Sequence, residues 1–210
     1  MTVEVVINSP EVSIILPEGM TEADLVITQE RGQLVHHIRD TLVRLQGPEA
    51  WSHLLAAVSD PCRKAFEGHI GLFEWVDAGM ATELSRAFYA ASADELTYQR
   101  GRDAARNQLT TVNRWVLRFL SPSFLLSNVP RFFQFYLKGG HVQVEHAGGN
   151  TATVHVWAIG LYDEYWRFGA TGWLEEALEM TGCRGVRARY EVPAGPGLEA
   201  HHHRYHLTWG

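Results

Sequence analysis

Residues 141–159 read HVQVEHAGGNTATVHVWAI, two alternating runs on either side of Gly148, Gly149 and Asn150. Side chains alternate across a strand, and such a turn folds one run back on the other. One face of the predicted hairpin is then Val142, Val144, Ala152, Val154, Val156 and Ala158. The opposite face is His141, Gln143, Glu145, Thr153, His155 and Trp157. A two-stranded ribbon is marginal in water, so its apolar face demands a cover. The next segment supplies one. EYWRFGATGWLEEALEMTG places Trp166, Ala170, Trp173, Ala177 and Met180 on one helical stripe. Gly169 and Gly172 inside it each cost about 1 kcal/mol against Ala, which points to a kink or a close backbone approach. GVRARYEV and HHHRYHLTW then alternate again. The C-terminal half therefore reads strand–strand–helix–strand–strand.

Upstream the period is helical. Leu34, Ile38, Leu42 and Leu45 form one stripe, ended by Gly47. Pro48 and Asp60-Pro61 start further short helices, and Asp77 is placed to cap a helix holding Leu84 and Phe88. SADE, Ser92 to Glu95, has the spacing of a capping box. Behind it Ala105, Leu109, Val112, Val116 and Phe119 continue a stripe to Ser121-Pro122. Pro130 is expected to open a short helix, RFFQFYLK. Residues 2–16 alternate around Asn8-Ser9-Pro10 and read as a strand or hairpin arm over 1–30, ahead of a main domain over 31–210.

Composition narrows the function. The 210 residues are 46 % hydrophobic and 20 % charged, enough for one buried core. A net charge of −6 argues against nucleic acid and anionic membrane as partners. No apolar run is long enough to span a bilayer, and the first residues do not read as a signal peptide. The two cysteines, Cys62 and Cys183, make no CxxC pair, so a reducing cytoplasm is expected.

From about Arg31 onward the chain resembles an uncharacterised bacterial family best represented in myxobacteria. The resemblance rests on LQGPEAW, RDAARNQLTTVNRWVLRFL, FFQFYLKGGHVQVEHAGGNTATVHVWA, GWLEEALEMTGCRGVRARYEV and the closing LTW. That family is similar to domains of the TRAPP-subunit-like fold, a superfamily that includes 4-vinyl-reductase-like sensors and haem-dependent nitric-oxide-binding domains. The resemblance implies an α+β fold, a helical layer on a four-stranded antiparallel sheet, TRAPP-like, with the N-terminal arm added. It also implies a non-enzymatic sensory or regulatory module that binds a protein partner, holds a small apolar ligand between helices and sheet, and pairs as a homodimer. Two departures matter. GLEAHHH lacks the cysteine that sensor relatives carry before the last strand, and the Tyr-x-Ser-x-Arg signature of the haem domains is absent.

The candidate pocket is Trp115, Phe119, Phe132, Tyr136, Trp166 and Trp173, aromatics able to line an apolar cleft or simply fill it. The polar sheet face carries Trp157, Arg187, Arg189 and Arg204 as candidate partner anchors. It also carries His141, His155, His202 and His206 as candidate metal ligands. His202 and His206 stand about 13 Å apart along a strand, so one ion would need ligands from neighbouring strands. The expectation is a solvated face whose imidazoles titrate near about 6.5. No cofactor is expected, with zinc or another transition metal as the fallback. A ligand-free scaffold subunit, or a metal-dependent enzyme on the His-rich face, are the alternatives. His36, His37 and Asp40 lack any positioned nucleophile. Cys62 beside Arg63 and Lys64 is a weak candidate for a reactive thiol.

Overall fold

A computed structural model describes residues 19–110, 121–195 and 197–210. In chain order the elements are α1 (Glu22–Leu25), β1 (Gln29–Arg31), α2 (Gly32–Gln46), α3 (Glu49–Ala56), α4 (Asp60–Glu67), β2 (Trp75–Asp77) and α5 (Ala78–Thr110). There follow α6 (Pro122–Tyr136), β3 (Leu137–Lys138), β4 (His141–Gly148), β5 (Thr151–Trp157), α7 (Asp163–Met180), β6 (Arg187–Glu191) and β7 (His202–Thr208). A 3-10 turn, Gly197–His201, leads into β7. The architecture is α+β, with the expected ββαββ half. β4, β5, β7 and β6 form, in that order, a four-stranded antiparallel sheet.

Two cores meet inside. Val154, Val156, Tyr190, Tyr205 and Leu207 on the sheet pack beneath Leu174, Ala177 and Leu178 of α7 and Leu125, Leu126 and Val129 of α6. Val35, Ile38 and Leu42 of α2 pack with Leu54 and Leu55 of α3, Cys62 and Phe66 of α4, and Leu84 and Phe88 of α5. α5 and α7 join the two, and glycines let them touch. A Cβ added to Gly172 would lie 2.2 Å from the Tyr98 carbonyl oxygen, and one added to Gly101 would lie 2.0 Å from that of Gly169. The close approach, not a kink, is what Gly169 and Gly172 serve.

The helix boundaries carry two corrections. α5 does break at SADE, but by backbone rather than by a capping box. Ala93 has φ 57°, a left-handed conformation rare for alanine, while the Ser92 hydroxyl donates back to Phe88 O at 2.5 Å. Pro130 lies inside α6 and does not open it. That helix starts at Ser121, whose Oγ accepts from Phe124 N at 3.1 Å, with Pro122 at the first turn. Val112, Trp115, Val116 and Phe119 lie outside the described residues.

The boundary at residue 30 also moves. Strands predicted over 2–16 lie outside the described residues, but Gly19 to Glu30 belong to the domain. Leu25 is fully buried and Ile27 nearly so. Their main chains bond to Ile159, with Ile27 N donating to Ile159 O at 2.9 Å and Ile159 N to Leu25 O at 2.8 Å. β1 is the middle strand of a second, three-stranded sheet, between β2 and β3.

Candidate functional site

The sheet floor, α7 and α6 enclose a cavity of about 110 Å³, bounded by described residues from both halves of the chain. Alternation aims Val142, Val154 and Val156 upward as the floor. Helical spacing turns Trp166, Ala170 and Trp173 of α7 and Phe132, Phe133 and Tyr136 of α6 inward as walls. Leu34 of α2 and Arg100, Ala104 and Gln108 of α5 close the far side. Four of the six pocket candidates, Phe132, Tyr136, Trp166 and Trp173, thus stand around one space. Trp115 and Phe119 lie outside the described residues. Phe132 and Trp173 are 5.9 Å apart between ring centroids, and Trp173 Nε1 donates to Gln108 Oε1 at 2.7 Å.

Two groups of this region, Arg100 and Glu30, were not read from the sequence, and a third, His37, was read there only as lacking a positioned nucleophile. Arg100 is 5 % exposed and its Cζ stands 4.3 Å from the Tyr165 ring centroid. Glu30 is buried, and burial pushes its carboxyl up to about 7 against the opposing pull of Arg100. His37 is buried with no partner for Nε2 among the described residues, and burial, then the Arg100 charge, hold its pKa down to about 4. The signal for Arg100 was present. It falls on the small-residue stripe of Thr97, Gly101, Ala104 and Ala105, where a charge has to be buried.

The histidine-rich sheet face differs from expectation. Trp157, the proposed partner anchor, is 2 % exposed. Its ring stacks on His202 at 4.3 Å and lies 5.7 Å from His155 and 5.6 Å from His141. The register explains the stack, because Trp157 pairs His141 on one side and His202 on the other. The segment before β7 folds back on this end of the sheet. Ala158 N donates to His201 O at 3.1 Å, and Glu199 pairs with Arg204 at 3.0 Å. Alternation alone reads HHHRYHLTW as a strand and leaves this face in solvent. Arg204 is consequently tied to Glu191 and Glu199, and of the four partner anchors only Arg187 and Arg189 are exposed.

The metal reading fails on the same geometry. His155 Nδ1 and His202 Nε2 are hydrogen-bonded at 3.0 Å, and His206 Nε2 bonds Glu191 Oε2 at 2.8 Å. Among the described residues no group of three or more His, Cys, Asp or Glu is placed to hold a metal. Titration near 6.5 is also corrected for the buried pair. Burial, aided by the Arg204 charge, takes His202 down to about 3, and burial lowers His155. We therefore expect His202→Ala to cost about 2–3 kcal/mol in urea unfolding, through a lost buried hydrogen bond and stacking surface. His206→Ala, on a more exposed ring, should cost about 1 kcal/mol or less. Equal and negligible losses would put both rings back in solvent.

Cys62 is fully buried and its Sγ donates to Met80 O at 3.5 Å. Burial, with Glu83 nearby, pushes the thiol up to about 12. It is no reactive thiol, and native protein should leave Cys62 unlabelled by iodoacetamide at pH 8 while unfolded protein reacts.

No protein-family model and no curated protein matches this sequence. Solved structures do. An Fe(II) unliganded H-NOX protein from K. algicida superposes with a TM-score of 0.66 at 12 % identity, over 86 % of this chain and 96 % of that one. The S. oneidensis H-NOX protein in its Fe(II)NO state gives 0.62 at 11 % identity, over 86 % and 99 %. A structure from work on heme distortion in the H-NOX family gives 0.55 at 12 %, over 85 % and 94 %. The fold is that of H-NOX domains. Among the described residues no helix is long and apolar enough to cross a membrane.

These neighbours correct the cofactor expectation. The group they are described with is iron and heme, so this fold points to haem, not to the absence of a cofactor and not to zinc. The residues described in this chain do not fit that group. The cavity is about 110 Å³, whereas pockets for drug-sized ligands run to about 300–1,000 Å³. Among its described lining residues the one imidazole is His203, on the sheet, whose Nδ1 already bonds the Tyr190 hydroxyl at 2.8 Å.

Proposed function

We propose that this chain is a non-enzymatic sensory module that holds a small, largely apolar ligand in the cleft between sheet and helices. The observation that carries this reading is the aromatic-walled cavity itself. Its lining comes from α2, α5, α6, α7 and the sheet, so one occupant touches every layer of the domain. A ligand shifts a protein only by binding one arrangement better than another. A cavity shared by all layers couples occupancy to helix position.

A sensor needs a listener. Docking to a protein partner, pairing of two copies, a cytoplasmic setting and kinship with TRAPP-subunit-like domains belong to the same reading. The exposed Arg187 and Arg189 are the part of the sheet face available for docking.

Native mass spectrometry of tag-free protein, purified without nickel, tests it. The expected result is a non-metal mass increment that disappears in Ala170→Leu, which fills the cavity from α7, while the variant's circular dichroism is unchanged. An increment retained by Ala170→Leu would place the ligand elsewhere. Protein that carries no increment and takes up no apolar probe would end the sensor reading. An increment matching haem would show that the cleft opens wider than its described walls.

A further inference from the structure

We propose that the cavity receives a small carboxylate with an aromatic or short aliphatic body, its head seated on the Arg100 guanidinium. This rests on the cleft being a ligand site and specifies what enters it.

Arg100 lies on the cavity wall, 95 % removed from solvent by its 5 % exposure. Its Nε has no hydrogen-bond partner, and the guanidinium makes no ion pair among the described residues. Neighbours on the same helix are served differently. Arg102 and Arg106 share Glu176, whose carboxyl burial alone would raise but which hydrogen bonds from Arg106 and Arg102 hold down. Among the described residues Arg100 has the Tyr165 face and, through space, the Glu30 carboxyl. A guanidinium does not shed its proton, and a buried charge without a counter-ion costs several kcal/mol.

The surrounding groups leave that charge only partly cancelled. Glu30 on β1 is the nearby carboxyl, and with a pKa raised to about 7 it is roughly half protonated at neutral pH. His37 on α2 is neutral there, and Tyr165 on α7 keeps its proton, both because of burial. The wall thus presents net positive charge to an apolar space.

A carboxylate answers that chemistry. It matches the planar donor fork with two acceptors and brings one compensating charge. A phosphate would bring more oxygens to satisfy than this apolar lining offers. Size sets the rest. An engineered apolar cavity of about 150 Å³ takes benzene, so about 110 Å³ holds a short chain outright and a single ring with a small outward shift of the walls.

Benzoate, benzamide and toluene are the probes, read by thermal shift and tryptophan fluorescence on the full chain. Benzoate should bind at least tenfold more tightly than benzamide. That preference should vanish in Arg100→Met and survive in part in Arg100→Lys. Ligand-free Arg100→Met should melt no lower than the parent, because an unpaired buried charge has been replaced by an apolar chain. Equal affinity for benzoate and benzamide, or a preference that persists in Arg100→Met, would overturn the proposal. Toluene binding without a benzoate preference would spare the cavity and remove only the carboxylate. No binding of any probe would remove both. Should Arg100→Met fail to fold, the comparison of benzoate with benzamide on the parent chain decides alone.

Discussion

Unfolding free energy should fall by about 3 kcal/mol between pH 6.5 and pH 5, as three buried imidazoles are pulled out to be protonated. His37 and His203 are held down to about 4 and His202 to about 3, in each case chiefly by burial. In the unfolded chain all three titrate near about 6.5. Between those values the unfolded state binds protons that the folded state refuses, so stability drops as pH falls. Glu30 works in the opposite direction. Its carboxyl is raised to about 7, so the folded state holds a proton there that the unfolded state releases above about 4.5. The net near pH 5 is about two protons taken up on unfolding, worth about 3 kcal/mol per pH unit. That is a large share of a typical stability of about 5–15 kcal/mol. Urea titrations at half-unit pH steps measure the slope, and His37→Leu should remove about one proton from it. A flat profile over this range would mean that the rings are hydrated.

Gly172→Ala should destabilise the domain by about 2–4 kcal/mol, although alanine is the better helix former by about 1 kcal/mol. The new Cβ would meet the Tyr98 carbonyl oxygen at 2.2 Å, and a backbone atom has no rotamer by which to withdraw. Gly101→Ala meets Gly169 O at 2.0 Å and should behave alike. Gly68→Ala is the control, since its Cβ would find only Ala65 O, at 3.8 Å. Thermal melts of the three variants make the comparison. A neutral Gly172→Ala would mean that α5 and α7 are further apart than described. Because α7 is also a wall of the cavity, forcing it outward should weaken ligand uptake together with stability.

The sheet and its register were legible because period-2 alternation is a local signal. Val154 on the floor and Tyr205 on the core face follow from counting by twos. Phe132, Tyr136, Trp166 and Trp173 followed from helical spacing in the same way. The burial of Trp157 and His202 did not. It depends on Glu199 and His201 folding back over the sheet end, a contact that no local pattern encodes. Arg100 and Glu30 were missed for a related reason. Each lies in an otherwise apolar position, and the periodicity records the neighbours rather than the exception. The membership of Leu25 and Ile27 in the domain rests on pairing with Ile159, far beyond any sequence window.

That last pairing has a consequence for the order of assembly. β1 is made early, yet Thr28 N bonds Lys138 O and Ile27 N bonds Ile159 O. During synthesis at about 5–20 residues per second, one edge of β1 meets β2 from within fifty residues, while the edge that pairs β3 waits for a partner more than a hundred residues away. The α2–α4 core can gather while β1 is still open, and the domain closes only when Ile159 has left the ribosome. A chain stalled before Leu137 would display one unsatisfied strand edge beside a formed helical core, the kind of nascent intermediate on which chaperones act.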